Sequence, residues 1–197
     1  MARPREFNVD KALEGAMGVF WEHGYEQASL PDLLSGMGIT RGSLYKAFTD
    51  KRTLFLTILE RYDTMAVQPA VEVLTNEEVS EGMQRIEKLF HSILEIQNKG
   101  DNRGCLLCSA AAGPANYDKE IGKVVTKLLE KMKTGFAAAL LASNAKKQLP
   151  AKKIESLADM LVTNYVGLKI LVRSHASNGM LKSSVNAVLS TIRAETQ

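Results

Sequence analysis

Cys105 and Cys108 stand three residues apart in the segment Asn-Arg-Gly-Cys-Leu-Leu-Cys-Ser and are the chain's two thiols. On a helix this spacing brings two sulfurs near bridging distance. A helix start capped by Asp101 or Asn102, together with the charge of Arg103, would favour a thiolate. Three roles stand open for the pair: buried structural thiols, a redox or electrophile sensor, or metal ligands. Two cysteines without a nearby histidine make a poor zinc site. His23, His91 and His175 are scattered along the chain and form neither a triad nor a ligand motif. A thiol oxidoreductase normally sets Cys-x-x-Cys in a βαβ unit, and no strand-like alternation of any length is present. Catalytic residues, a metal and a cofactor are therefore not expected, and the chain does not read as an enzyme.

A second group of side chains is suited to contact rather than reaction. Arg41, Ser43, Tyr45 and Lys46 fall on one side of a short segment whose apolar residues, Leu44 and Phe48, are four apart. The stretch 29–48 reads as two short helices joined by a glycine turn. Ser29 and Asp32 have capping-box spacing, and Pro31 removes an N–H that would lack an intrahelical partner. The first helix then starts at Leu30 and buries Leu30, Leu33 and Leu34. Gly36 and Gly38 allow the positive φ that ends it, and Thr40 caps the second helix. A short helix with cationic, hydroxyl and aromatic groups on its free face is what a helix-turn-helix lays into the major groove of DNA.

Charge supports that reading only locally. The chain carries a net +3, yet residues 1–50 hold five cations against seven carboxylates. Between residues 36 and 52, Arg41, Lys46, Lys51 and Arg52 face only Asp50. This patch, with an arm at residues 1–7 bearing Arg3 and Arg5, forms a phosphate-facing stripe. Lys51 and Arg52 in the first turn of a helix oppose its dipole, a placement that suggests an anionic partner.

The elements that position these groups are helical. A 3.6-residue stripe of Ala12, Leu13, Ala16, Met17, Phe20 and Trp21 predicts a helix over 9–23 that stops at Gly24, with Tyr25 packing back beneath it. Asp50 caps a further helix through Leu54, Phe55, Ile58, Leu59 and Tyr62, which ends or kinks around Gln68-Pro69. A polar linker at 75–80 precedes helical patterns over 79–98, 102–113, 117–143, 151–177 and 182–194. Pro114, Pro150 and a turn at 177–179 punctuate them. At 197 residues with 45% apolar composition there is ample core. The apolar runs, such as 136–142, fall far short of the roughly 20 residues that span a bilayer. No apolar signal core is present at the N-terminus, so a cytoplasmic protein with no membrane partner is expected.

Residues 8–60 resemble the DNA-binding domain of TetR-family transcriptional regulators. Phe20, Gly24 and Tyr25 match the end of that family's first helix; Gly38-Ile39-Thr40-Arg41-Gly42-Ser43-Leu44-Tyr45 matches its turn and reading helix; Phe48, Asp50 and Lys51 match the exit from that helix. Lys46-Ala47 departs from the histidine and aromatic residue often found there, a difference that bears on base preference.

The resemblance implies an all-α fold of about nine helices. It divides the chain into a helix-turn-helix domain at 6–66 and a ligand-binding and dimerisation domain at 67–197. It implies that Ser29, Thr40, Arg41, Gly42, Ser43, Tyr45, Lys46 and Lys51 approach a double-stranded DNA operator. It further implies a homodimer formed by the last two helices through Leu161, Tyr165, Leu168, Val185, Val188, Leu189 and Ile192. A small-molecule effector would lie against Phe90, Leu94, Leu107, Tyr117, Phe136 and Tyr165, with Ile93 and Met132 beside them. No cluster of buried charge suggests a strongly ionic effector. The expected function is a repressor on a palindromic operator, released by a signal in the C-terminal domain and associated with the nucleoid when bound. The alternative is a regulator that senses through Cys105 and Cys108.

Overall fold

The computed structural model describes residues 7–79, 81–143 and 149–196, so the arm carrying Arg3 and Arg5 lies outside the described residues. Those residues form an all-α structure. Helix α1 (Val9–Gln27) starts at Asn8, whose side chain accepts from the Lys11 N–H at 3.1 Å. It buries Ala12, Leu13, Ala16, Met17 and Phe20, the predicted stripe. Gly24 breaks the helix with φ 75°, and one further turn reaches Gln27.

The capping box at α2 (Leu30–Met37) forms in both directions: the Asp32 N–H donates to Ser29 Oγ at 3.2 Å and the Ser29 N–H to Asp32 Oδ2 at 3.1 Å. Of the three leucines expected inside, Leu33 is fully buried, while Leu30 and Leu34 are half-buried. Gly38, left-handed at φ 63°, ends α2. Thr40 caps α3 (Arg41–Phe48) and Asp50 caps α4 (Lys51–Tyr62), each accepting from an N–H three residues on. Helix α1 lies so close to α2 that a Cβ on Gly15 would land on the Gly36 carbonyl oxygen. Arg61 of α4 fastens α1 from the other side, donating to Asp10 at 2.8 Å and Glu14 at 3.0 Å.

The larger part of the chain is built around α8 (Lys119–Ser143). Helix α4 does not end at Gln68-Pro69. It passes through a π turn (Asp63–Val67) into α5 (Gln68–Thr75), where Pro69 occupies the first turn. The widened turn lets the rod continue past a residue that cannot donate to the helical ladder. The domain boundary expected at 66/67 therefore falls inside one helical rod.

Helices α6 (Gly82–Asn98), α9 (Ala151–Arg173) and α10 (Asn178–Thr196) complete the bundle, with the short α7 (Leu106–Ala112) under the reading head. Counting α4 to α5 as one rod, nine helices are present among the described residues. Phe90, Phe136 and Tyr165 meet ring to ring at 5.8 to 6.1 Å. Arg85, buried between α5 and α6, donates to the Leu74 and Val79 carbonyls and closes the end of α5.

Two local expectations are corrected. The helix foreseen over 102–113 begins at Leu106, with Cys105 at its cap position and no side-chain cap. Asp101 instead accepts from the Arg103 backbone N–H and guanidinium, which folds the preceding loop on itself. The reversal foreseen at 177–179 lies earlier, at left-handed His175 (φ 57°). Helix α10 starts at Asn178, where Ser177 Oγ accepts from the Met180 N–H at 3.3 Å.

The contact between α1 and α2 yields a prediction. Gly15→Ala should cost on the order of 1–3 kcal/mol by overpacking, a fall in Tm of roughly 2–12 °C for a chain of this size. Gly18→Ala, on a side of α1 with nothing within 4 Å, should be neutral or raise stability by about 0.5–1 kcal/mol. Thermal denaturation of the two variants checks both, and equal melting temperatures would contradict the packing described.

Candidate nucleic-acid interface

Leu44 and Phe48 anchor α3 in the small core, at 1% and 7% exposure. That anchoring turns Arg41, Gly42, Tyr45 and Lys46 outward, Tyr45 with almost half its surface free. Arg41 lies 6.0 Å from the Tyr45 ring, so the cation and the aromatic face form one unit. The hydroxyls of Thr40 and Ser43 pair at 3.0 Å beside the start of the helix. Ser29 is exposed but engaged, its hydroxyl bonded to the Asp32 carboxylate. These bonds draw the Asp32 carboxyl below its ordinary range.

Lys51 and Arg52 part company. Lys51 Nζ donates to the Glu26 carbonyl at 3.2 Å and sits 4.8 Å from the Tyr25 ring, beside the reading helix. Partial burial lowers its pKa. Arg52 turns away to the start of α8, pairing with Asp118 and donating to Glu120 at 2.6 Å. The guanidinium holds the Asp118 carboxyl down to about 2. Arg52 is therefore removed from the expected phosphate-facing patch, because two carboxylates distant in sequence are its anionic partners.

A cavity of about 370 Å³ lies where the reading head meets the bundle. Leu107 and Tyr165 line it, as expected, together with Met132. Phe90 and Phe136 do not: they are fully buried and support Tyr165 from behind. Leu94 belongs to another hollow beside Asn98, Asn178 and Lys182. Tyr117 is 64% exposed and donates to the Glu26 carboxylate, next to Lys51 rather than the cavity.

Sequence reading missed Trp21 and Tyr62, which belong to helices of the reading head yet form cavity wall, meeting edge to face at 5.2 Å. It also missed Lys169, whose ammonium lies 5.6 Å from the Tyr165 ring within the wall. Burial lowers the Lys169 pKa. Its signal was available: one cation four residues after Tyr165 on a mostly apolar run of α9.

Both thiols are free. Cys105 is buried in the cavity wall and its sulfur accepts from the Tyr62 hydroxyl at 3.5 Å. Cys108 faces the Val166 carbonyl at 3.8 Å. No cluster of three or more histidine, cysteine or carboxylate side chains suited to a metal occurs among the described residues. No helix among them is long and apolar enough to cross a membrane.

The residues expected at a twofold interface mostly point inward. Leu161, Leu168, Val185, Leu189 and Ile192 are at most 3% exposed in the single chain, Val188 is half-buried and Tyr165 lines the cavity. Their stripe is satisfied by α6 and by the packing of α9 on α10. The outward positions of α10 include Met180, Ala187, Thr191 and Ala194.

Residues 12–58 match the family model described as "Bacterial regulatory proteins, tetR family". The chain is 27% identical to the uncharacterized HTH-type transcriptional regulator YezE of Bacillus subtilis, over 98% of this chain and all of that protein. It is 28% identical to the HTH-type transcriptional repressor ComR of Escherichia coli, over 89% of this chain and 84% of that one. Among solved structures, a cysteine mutant of the TetR-family regulator CifR, complexed with 26-bp double-strand operator DNA, is similar at 28% identity. That likeness covers 95% of this chain and 98% of CifR, with a TM-score of 0.82. The local motif over residues 12–58 matches the tetR-family model, and the whole helical frame is similar to that of TetR-family transcriptional regulators.

Proposed function

We propose that the chain is a repressor that binds a palindromic operator as a homodimer and is released by an effector seated in the cavity. Residues 6–66 serve as the reading head and residues 67–197 as the sensing and dimerising part. The observation that carries this reading is the free face of α3, where Arg41, Tyr45 and Lys46 project from a helix fastened by Leu44 and Phe48. The likeness to CifR, solved on operator DNA, supports it.

Arg41 and Lys46 are assigned to base edges, and Ser29, Thr40, Gly42, Ser43, Tyr45 and Lys51 to phosphates and sugars near the groove. Lys51 exchanges its bond to the Glu26 carbonyl for a phosphate, a modest step for a partly exposed ammonium. One helix-turn-helix makes few contacts, and two related by a twofold axis read two half-sites. The outward face of α10, including Ala187 and Thr191, lets a second copy approach closely. An effector shifts the population only by binding the DNA-incompetent state more tightly. The cavity suits that task because Trp21 and Tyr62 belong to the reading head.

Fluorescence anisotropy with DNA from upstream of the chain's own gene tests the reading head. Arg41→Ala should weaken binding by about 5- to 150-fold per half-site, the range of one bidentate base contact. Lys51→Gln should weaken all sequences alike and reduce the salt slope by about one per half-site. Binding that is absent, or indifferent to salt, would defeat the proposal.

Sedimentation tests the assembly. Ala187→Arg should convert a dimer to monomers and lower operator affinity together, whereas an unmodified chain that sediments as a monomer at micromolar concentration would remove the homodimer.

A further inference from the structure

The cavity has one thiol in its wall. Cys105 lines it and Cys108 does not, so the two thiols, equivalent in sequence, are unlike in place. Three neighbours give Cys105 its character. The Tyr62 hydroxyl donates to its sulfur. Hydrogen bonding with Cys108 draws the Cys105 thiol below its usual range and pushes Cys108 above it. Lys169 lines the same cavity, and among the described residues its ammonium has neither a salt bridge nor a hydrogen bond. Asp101, also in the wall, is committed to Arg103. The remaining surface is largely apolar, including Leu89, Leu107, Leu129 and Met132.

A sulfur that accepts from the Tyr62 hydroxyl, a cation without a salt bridge and an apolar enclosure suit a compound with a soft electrophilic carbon conjugated to a carbonyl. We propose that Cys105 is the sensing nucleophile of this cavity and takes α,β-unsaturated carbonyl compounds, with Lys169 receiving the carbonyl oxygen. The proposal rests on the effector-release reading above and specifies its chemistry.

In the addition, the Cys105 sulfur forms a bond to the β-carbon and the alkene π pair moves through the carbonyl to its oxygen. That oxygen, as an enolate, faces the Lys169 ammonium. The proton given up by the thiol is then returned at the α-carbon, so the net change is S–H added across C=C. No oxidant or reductant is consumed. The product is a thioether whose body fills space beside Tyr62 and Trp21. Tyr62 lies on α4 and Trp21 on α1, so displacement of this edge-to-face pair moves the two helices that carry the reading head. Cys108 keeps a supporting role beside the reactive sulfur, its own thiol donating to the Val166 carbonyl.

The test uses the full chain with 2-cyclohexen-1-one, and cyclohexanone as the saturated control of the same shape. Intact mass and peptide mapping should find a single adduct on Cys105, formed at least tenfold faster than any on Cys108 although Cys108 is the less buried thiol. Cys105→Ser should bind operator normally, take no adduct and resist release, and Cys108→Ser should still be modified and released. Lys169→Met should slow the addition at least tenfold while leaving operator affinity before treatment unchanged.

First modification at Cys108 would overturn the proposal, as would equal rates at both thiols, or release by cyclohexanone at the same concentration. An adduct on Cys105 that leaves operator affinity intact would overturn the signalling step. Operator binding by the untreated chain is measured first. Its failure counts against the repressor reading alone, since the mass spectrum still reports on the cavity.

Discussion

The carbonyls freed where Gly24 breaks α1 have to find donors, and Arg173 supplies them. Its guanidinium reaches the Trp21 carbonyl at 2.6 Å, the Glu22 carbonyl at 2.9 Å and the Arg103 carbonyl at 3.0 Å. Helix ends leave such acceptors unmatched, and a cation there also answers the negative end of the dipole. One side chain of α9 thus joins the reading head to the loop ahead of Cys105. Gly104 makes the approach feasible, because a Cβ there would stand 2.6 Å from the Lys169 carbonyl. Lys169 is one turn earlier on the same helix, so the cavity and the clamp share a single rigid element.

The second fastening is electrostatic and nearer the surface. Arg52 to Asp118 and Glu120, and Lys131 to Asp63 at 2.7 Å, tie α4 and its π turn to α8. Exposed pairs of this kind contribute little singly and weaken with salt. The reading head therefore rests on a firm hold at α1 and a softer one at α4.

How much of this was legible in sequence depended on range. The reading head could be written down almost residue by residue, because Ser29, Thr40 and Asp50 act on N–H groups three positions away and Gly38 acts on itself. Arg52 was misplaced because Asp118 and Glu120 stand 66 and 68 residues away. The cavity was half legible: Leu107 and Tyr165 were foreseen, whereas Phe90 and Phe136 have the same apolar character and differ only in facing inward. Trp21 and Tyr62 fitted a 3.6-residue stripe so well that a second duty at the domain junction left no mark. The apolar faces of α9 and α10 were assigned to a twofold mate through the resemblance, because periodicity reports how wide an apolar stripe is, not which helix covers it.

The unbroken passage from α4 through the π turn to α5 bears on how such regulators can be recombined. A junction between reading head and sensor placed at residues 66/67 cuts a rod rather than a hinge. Each residue gained or lost there would rotate everything downstream by about 100° and shift it by about 1.5 Å. Exchange of reading heads among relatives therefore has to preserve the π turn and its phase with Pro69. Where that register is lost, Asp63 leaves Lys131 and Tyr62 leaves Cys105, and a chimera with two intact halves has no common axis.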